Sequence, residues 1–196
     1  MKKSLFLTAL MVVLGATMAY AQPRAIGLRL GAFDGVSYQH GFGDSNMLEI
    51  EAGFNFGTHL GNRIDGSTNG TKWISYGHNI QVAATYDWID PFNATFPWDH
   101  KGEWHWYLGV GGAGGYGWYG YAYNKTAGSV GGANNWGFVG AAGRAGVEYD
   151  FWFPLQLSID YRPTLGVGLI DDNNGGAMAG FYWDIFSLAL SARYKF

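Results

Sequence analysis

The last eleven residues, 186–196, alternate between apolar side chains and polar or small ones. Counting back from Phe196, every second residue is apolar, and the residues between them are small or charged. Because successive side chains of a β-strand point to opposite faces, this pattern predicts a strand with one apolar face and one polar face. A tilted strand needs about 9–11 residues to cross a bilayer. The chain therefore ends in a predicted strand of membrane-spanning length.

The first residues have the pattern of a secretory signal peptide. Lys2 and Lys3 precede a mostly apolar stretch that ends in Ala19-Tyr20-Ala21. A short positive region, an apolar core and an A-x-A site are the features of a cleavable signal, and this core is too short for a spanning helix. We therefore predict a signal peptide at 1–21 and one exported domain at 22–196.

The composition excludes several classes of protein. There is no Cys, so disulfides and thiolate metal sites are excluded. Without 1–21 the chain has 10 basic and 15 acidic residues and a formal charge of −5, which provides no basic surface for nucleic acid. No apolar run after the signal approaches the length of a spanning helix. If this chain crosses a membrane, it must do so as a closed barrel, because only helices and closed barrels satisfy every backbone group in lipid.

Alternation recurs along the mature chain and is interrupted by turn and loop signals. Long polar segments cover 58–71, 122–135 and 171–179, whereas short connections follow Phe42 and Phe151 and a medium one follows Ile89. Short turns at one end and long loops at the other are typical of outer-membrane barrels, and an even strand number requires a further turn near 32–35. The predicted fold class is all-β, an eight-stranded antiparallel up-and-down transmembrane β-barrel. Its predicted strands are 25–31, 35–42, 46–57, 72–89, 102–121, 134–151, 154–170 and 181–196.

Alternation alone leaves open which face points outwards, because a soluble barrel such as a lipocalin would turn its apolar face inwards. The opposite face is rich in Gly, Ala and Ser, which suits the narrow interior of eight strands. Aromatic residues also cluster near the strand ends, as in the interfacial girdles of membrane barrels. We therefore predict that the apolar face contacts lipid. The clustered aromatic residues are Trp104, Trp106, Tyr116, Trp118, Tyr149, Phe151, Tyr194 and Phe196.

Most charged residues on the strands then point into the lumen. A buried charge without a partner is very costly, so the nearly balanced set predicts a network of ion pairs. Such a network is either a structural plug or a polar path for a small solute or ion, and the sequence leaves both interpretations open. The predicted lumen charge network has five positive and six negative members: Arg29, Glu49, Glu51, Asp87, Glu103, Arg144, Glu148, Asp160, Arg162, Arg193 and Lys195.

Three features carry a family resemblance: the signal peptide, the final strand at 191–196, and the hairpin that joins 146–151 to 157–163. In these features the chain resembles small eight-stranded outer-membrane barrels of the OmpA-like and opacity-protein type. The resemblance implies an integral outer-membrane protein inserted by the barrel-assembly machinery through its C-terminal aromatic strand, and it implies no single activity. We expect no peptidoglycan-binding domain of the kind that longer OmpA-like proteins carry. The assembly-signal residues are Phe186, Leu188, Leu190, Tyr194 and Phe196.

Signals for catalysis, cofactors and metals are weak. Residues 109–114 match G-x-G-x-x-G, but the residues that follow cannot form the helix that a dinucleotide site requires. A smooth strand surface that allows close approach is the better interpretation. The five histidines form no H-x-x-x-H pattern. Ser75 and His78 are three residues apart, so they point to opposite faces of a strand and cannot form a nucleophilic pair. We predict no catalytic residue, no cofactor and no metal.

Three functions remain open. The first is a structural or surface-interaction barrel whose loops at 58–71 and 122–135 contact an unidentified surface ligand. The alternative is a narrow transport pore for small solutes or ions. The second alternative is a lipid A-modifying outer-membrane enzyme, although we predict that the chain is not an enzyme. The expected partners are outer-membrane lipid and the barrel-assembly machinery, with no nucleic acid, and we expect a monomer.

Overall fold

The computed structural model describes residues 24–56, 63–65, 67–68, 71–72, 78–91, 101–124, 129–171 and 177–196. The predicted signal peptide therefore lies outside the described residues. Every regular element among the described residues is a strand. None of these residues belongs to a helix with the length and hydropathy needed to span a membrane. The strands are β1 (Arg24–Gly31), β2 (Asp34–Phe42), β3 (Asn46–Asn55), β4 (Arg63–Asp65), β5 (Ser67–Thr68), β6 (Thr71–Lys72), β7 (His78–Pro91), β8 (Glu103–Asn124), β9 (Ser129–Asp150), β10 (Leu155–Tyr161), β11 (Thr164–Asp171), β12 (Ala177–Asp184) and β13 (Leu188–Lys195).

Antiparallel pairing closes these strands into an eight-stranded barrel. Going round the wall, β1, β2, β3, β7, β8 and β9 pair in that order, β9 pairs with β10, β10 with β13, and β13 with β1. β10 and β11 are the two halves of one wall strand, and β12 and β13 are the halves of the next. The sequence prediction of a closed eight-stranded antiparallel barrel is confirmed. Closure removes the unpaired edges that an open sheet would expose.

The short connections predicted after Phe42 and Phe151 are present at 43–45 and 151–154. They lie at the same end of the barrel, which we call the turn end, and the opposite end is the loop end. Gly43 has a φ of 65°, a left-handed conformation that glycine adopts without strain. At 151–154 the chain reverses with a hydrogen bond of 3.0 Å from the Phe151 amide to the Leu155 carbonyl.

The predicted loop at 122–135 is wrong in extent. β8 and β9 continue as a paired ladder to Asn124 and Ser129, so that only 125–128 lie outside the described residues. Register shifts between Gly117 and Gly120 and between Tyr121 and Tyr123 mark bulges in this ladder. The glycine-rich sequence conceals the strand, because glycine and asparagine are typical loop residues. The predicted loop at 171–179 is likewise too long, since β12 begins at Ala177.

Two predicted long strands are interrupted, each for a physical reason. Pro163 separates β10 from β11 because proline has no amide hydrogen for the ladder, yet the register with β9 is the same on both sides. Between β12 and β13 the register with the neighbouring strand shifts by one residue, so 185–187 form a bulge. The bulge turns Ser187 into the barrel, where it is fully buried.

The β1–β2 hairpin is short and folds inwards at the predicted turn near 32–35. Ala32 and Phe33 are buried, so this turn is not an exposed tip. The Ala32 amide donates to the Leu188 carbonyl at 2.9 Å, and the Asn55 amide group donates to the Ala32 carbonyl at 2.9 Å. Beyond this hairpin, β12 pairs with β4 of the segment that follows β3. The predicted loop at 58–71 therefore contributes a short strand to the wall.

Candidate functional site

Charged side chains occupy much of the lumen in the turn-end half. Four arginines and five acids are each at most 2% exposed, although each lies on or beside a wall strand. Their inward direction follows from strand alternation, because their sequence neighbours on the same strands point outwards. These nine lumen charges are Arg29, Glu49, Glu51, Asp87, Arg144, Glu148, Asp160, Arg162 and Arg193.

Arg144 of β9 is at the centre of this network. Its Nη1 is 2.7 Å from Glu49 Oε2 and 2.7 Å from Asp87 Oδ2. Its Nη2 is 3.4 Å from Asp160 Oδ2. Nη2 also donates to the Tyr107 hydroxyl at 3.1 Å, and the guanidinium lies 4.3 Å from the centre of the Tyr107 ring. One guanidinium thus contacts side chains of four other wall strands, and such charge-assisted bonds are stronger than neutral ones.

Arg29 of β1 connects this centre to the loop-end side of the network. Its Nη1 and Nη2 donate to the two carboxylate oxygens of Asp160 at 2.8 and 2.7 Å, a bidentate arrangement. Its Nη1 is also 2.9 Å from Glu51 Oε1. Arg162 Nη1 is 3.4 Å from Glu51 Oε2. The guanidinium of Arg162 lies over the Phe33 ring at 4.6 Å, so the inward hairpin turn supplies an aromatic surface for a buried cation.

Arg193 of β13 closes the turn-end side of the network. It contacts Glu49 through Nη2 and donates to Ser37 Oγ and Ser158 Oγ, both at 2.7 Å. Gln39 Nε2 donates to Glu49 Oε2 at 2.8 Å and to a Glu148 carboxylate oxygen at 3.4 Å. Including these partners, every wall strand contributes a side chain, so the network braces the barrel across its interior.

Two of the eleven predicted lumen charges lie outside this network. The Glu103 side chain is 81% exposed at the first residue of β8, and its Oε2 lies 3.9 Å from His105 Nε2. Lys195 lies at the turn end with its Nζ 3.3 Å from Asp150 Oδ2, and its side chain is 30% exposed. Both residues are at strand ends, where an inward direction no longer implies burial.

A second layer fills the lumen nearer the loop end, and sequence analysis missed it. Phe138 of β9 stacks on Tyr182 of β12 with ring centres 3.8 Å apart, and Trp136 stacks on Phe138 at 6.1 Å. Ala83, Ala113, Ala142 and Ile170 surround these buried rings. Alternation in the sequence indicates this layer, since Trp136 and Phe138 are an even number of positions from Arg144 on the same strand and so point to the same face. The prediction of a lumen occupied by polar groups therefore applies to only part of its length.

Glycines of β8 make room for both layers. A Cβ at Gly109 would lie 1.7 Å from Asp87 Oδ1, and one at Gly115 would lie 2.5 Å from the Phe138 ring. The glycine motif at 109–114 is thus a strand surface that other side chains approach closely. The motif lies within β8 and does not open a helix.

The outer wall is apolar and is ordered by side-chain type. Exposed aliphatic side chains occupy its middle, while exposed aromatic side chains lie towards both ends. Trp106 and Tyr116 both point outwards on β8, ten residues apart. At about 3.4 Å per residue and a tilt of about 35–45°, they are about 24–28 Å apart along the barrel axis. The aliphatic band includes Val82, Val110, Val139, Leu165 and Val167, and the aromatic residues include Trp88, Trp106, Trp152 and Tyr194 at the turn end and Phe56, Tyr116 and Phe181 at the loop end.

The predicted assembly-signal residues lie on this outer wall. Phe186, Leu188, Leu190, Tyr194 and Phe196 are each about 60% exposed. Phe186 belongs to the bulge at 185–187, and the other four extend from β13 to the final residue. Ser75 lies outside the described residues, so its relation to His78 is not described.

A solved structure with a similar fold is the crystal structure of a major outer membrane protein from Thermus thermophilus. The match covers 90% of this chain and 100% of that chain, with a TM-score of 0.48 and 13% sequence identity. No protein-family model matches the sequence, and no curated protein matches it at a significant level. A TM-score this low supports no inference about function, which must come from the geometry of the barrel.

Proposed function

We propose that the chain is an integral outer-membrane β-barrel with a closed lumen, and that it acts as a structural or surface-interaction barrel. One observation carries this proposal: the barrel is apolar outside and charged inside. A soluble barrel has the reverse distribution, because water-facing apolar surface is unfavourable and buried charge is costly. In lipid the apolar outer wall is favourable, and the lumen charges are offset by pairing with one another.

The dimensions of the outer wall support the membrane assignment. Membrane barrels carry an apolar band about 25 Å tall between two aromatic girdles. The aliphatic band here has aromatic residues at both ends, and the height worked from Trp106 and Tyr116 agrees with that value. Soluble monomers rarely expose an apolar patch of more than about 300–600 Å². An apolar wall of this kind, repeated on successive strands, would make the barrel insoluble in water.

The filled lumen favours a structural barrel over a transport pore. A conducting path needs continuous water, whereas each of the nine lumen charges is at most 2% exposed. The stacked rings of Trp136, Phe138 and Tyr182 form a second obstruction nearer the loop end. Eight strands leave an interior just wide enough for side chains to fill. We therefore expect the ion pairs to stabilise the barrel and not to select a solute.

The β8–β9 hairpin is the element best placed to contact an external ligand. β8 continues for eight residues beyond Tyr116, to Asn124, past the loop-end girdle. At the same rise and tilt, these residues extend about 20 Å past the apolar band. A paired ladder keeps its shape better than a long irregular loop, so it provides a defined surface. The remaining partners that we propose are outer-membrane lipid and, during insertion, the barrel-assembly machinery acting on the C-terminal strand, with the barrel as a monomer.

Membrane fractionation combined with heat modifiability tests the assignment. Cells expressing the full chain are separated into outer and inner membranes, and each fraction is run on SDS gels with and without boiling. We expect the protein in the outer membrane, with a faster-migrating band in the unboiled sample because the closed barrel resists SDS. A soluble periplasmic protein without a band shift would refute the proposal and would favour a soluble barrel.

Planar-bilayer conductance tests the closed lumen separately. The folded barrel is inserted at controlled copy number, and a known porin provides the positive control. We expect no steady openings from the unmodified chain. Regular openings that disappear in Arg144→Met would instead support the narrow pore.

A further inference from the structure

The turn end of the lumen contains a cavity that the ion-pair network does not fill. Its volume is about 150 Å³, and it is lined by residues of several wall strands. Two cations line it, Arg24 and Lys195, together with His105, Glu148 and Asp150. Neither proposed role of the barrel, structural or surface-interaction, uses this cavity.

Strand register brings four potential metal ligands to one inner face of this cavity. His105 of β8 is the direct ladder partner of Glu148 on β9. Asp150, two residues from Glu148 on the same face, is the ladder partner of Gln156 on β10. One ligand atom from each of His105, Glu148 and Asp150 lies within 4.8 Å of the other two. Three adjacent strands thus present an imidazole, two carboxylates and an amide to the same space.

Unsatisfied buried atoms give an independent indication of a ligand. Gln156 is 4% exposed, and its Oε1 has no hydrogen-bond partner among the described residues. The same is true of His105 Nδ1 and Asp150 Oδ1, both of which are buried atoms. Buried polar atoms in folded proteins nearly always have a partner. Two such carbonyl or carboxylate oxygens and one imidazole nitrogen around one cavity therefore point to a bound ligand, and all three atoms can coordinate a cation.

The neighbouring cations leave these acceptor atoms available. Lys195 approaches Asp150 through Oδ2, at 3.3 Å, and does not engage Oδ1. Arg193 directs its donors to Ser37, Ser158 and Glu49. Glu148 accepts a 3.4 Å hydrogen bond from Gln39 and keeps a second carboxylate oxygen for a further contact.

We propose that His105, Glu148 and Asp150, assisted by Gln156 Oε1, bind a divalent transition-metal cation of the Zn²⁺ type. A donor set of imidazole nitrogen and carboxylate oxygen suits zinc and its neighbours, whereas calcium and magnesium prefer oxygen alone. Bonds of about 2.0–2.2 Å in tetrahedral geometry place ligand atoms about 3.3–3.6 Å apart. The side chains therefore draw together slightly on binding. The metal would join β8, β9 and β10 at the turn end of the wall.

Metal titration of the folded barrel tests this site. The full chain, produced without a polyhistidine tag, is purified in detergent, treated with a chelator and titrated with Zn²⁺ against a chromophoric chelator. We expect one equivalent bound in the micromolar range or tighter. His105→Ala should weaken binding at least tenfold, and Glu148→Gln and Asp150→Asn should each weaken it several-fold. The matched controls are His40→Ala and His78→Ala, because neither histidine lines the cavity.

X-ray absorption at the zinc edge supplies a readout that a structural effect of the variants would not reproduce. We expect a shell of nitrogen and oxygen ligands with the scattering of one imidazole, which is absent in His105→Ala. Heat modifiability verifies that each variant is folded. If His105→Ala does not fold, Glu148→Gln and Asp150→Asn decide the result. No saturable binding, equal loss in the control variants, or a zinc shell without imidazole would each overturn the proposal.

Discussion

Replacing Arg144 with methionine tests whether the lumen charges form a network that depends on its central arginine. Methionine keeps much of the side-chain length but removes the charge and all five donors. Glu49 retains Arg193, and Asp160 retains Arg29. Among the described residues Asp87 has no other cationic partner, and it keeps only a 3.2 Å hydrogen bond from the Thr85 hydroxyl. The substitution therefore leaves one buried carboxylate without a counter-charge.

The structure sets the size of this effect. Leaving a buried charge without its partner costs about 3–5 kcal/mol. We expect Arg144→Met to lower the free energy of unfolding by about that amount. Asp87→Asn should cost less, about 1–2 kcal/mol, because Arg144 keeps Glu49 and Asp160. In the double variant the orphaned carboxylate is removed, so its cost should be at least about 1 kcal/mol below the sum of the single costs.

The assay is urea unfolding of the barrel in lipid vesicles, followed by tryptophan fluorescence and by the band shift on unboiled gels. The four proteins of the cycle are measured at one lipid composition and one ionic strength. A cost below about 1 kcal/mol for Arg144→Met would refute the account of a buried, mutually dependent network. Additive costs in the double variant would refute the specific pairing of Arg144 with Asp87.

Three further predictions concern the aromatic layer, the glycine surface and the outer wall. Phe138→Ala should lower the free energy of unfolding by about 3–5 kcal/mol because it empties the stack on Tyr182, whereas Val139→Ala on the outer wall should cost much less in the same urea assay. Gly109→Ala should lower the free energy of unfolding by about 1–3 kcal/mol, because the new Cβ displaces Asp87. Gly112→Ala should be tolerated, because the nearest atom lies 3.6 Å from the new Cβ. Equal stability of the two variants would contradict this packing. In lipid, Val110→Arg should lower the free energy of unfolding by about 2–4 kcal/mol and Trp106→Arg by about 0–1 kcal/mol. The difference is expected because the cost of a lipid-facing charge falls towards the interface. A larger cost for Trp106→Arg would place the apolar band elsewhere.

The closed barrel was predictable because strand alternation is a local property of the chain. The polar face of β13 and the carboxylates of β3 could be assigned to the lumen from the alternation of side chains along each strand. The pairing of individual charges could not be predicted. It depends on the register of neighbouring strands: Gly109 of β8 pairs with both Asp87 of β7 and Arg144 of β9, which brings the two charges together although they are 57 positions apart.

The errors arose where residue type and structural context disagree. The glycines and asparagines of the β8–β9 hairpin indicate a loop by propensity, yet pairing with a neighbouring strand overrides that preference. Trp136 and Phe138 pack in the lumen against Tyr182, a contact between non-adjacent strands that no local sequence pattern indicates.

The candidate metal ligands were missed for a different reason. Ligand spacing along a single segment does not reveal them, because His105 and Glu148 meet only through cross-strand pairing. They could be found by looking for histidines and acids that point into the lumen at the ends of adjacent strands.

Site-directed spin labelling tests the central claim, an apolar wall in lipid, most directly. The chain has no cysteine, so a single introduced cysteine gives one label. Labels at Val82, Val110 and Leu165 probe the outer wall, and a label at Asp44 in the exposed β2–β3 turn is the aqueous control. In vesicles we predict that oxygen relaxes the three wall labels more than a water-soluble nickel chelate does, with the opposite order at Asp44. Wall labels as accessible to the nickel chelate as the Asp44 label would contradict the account.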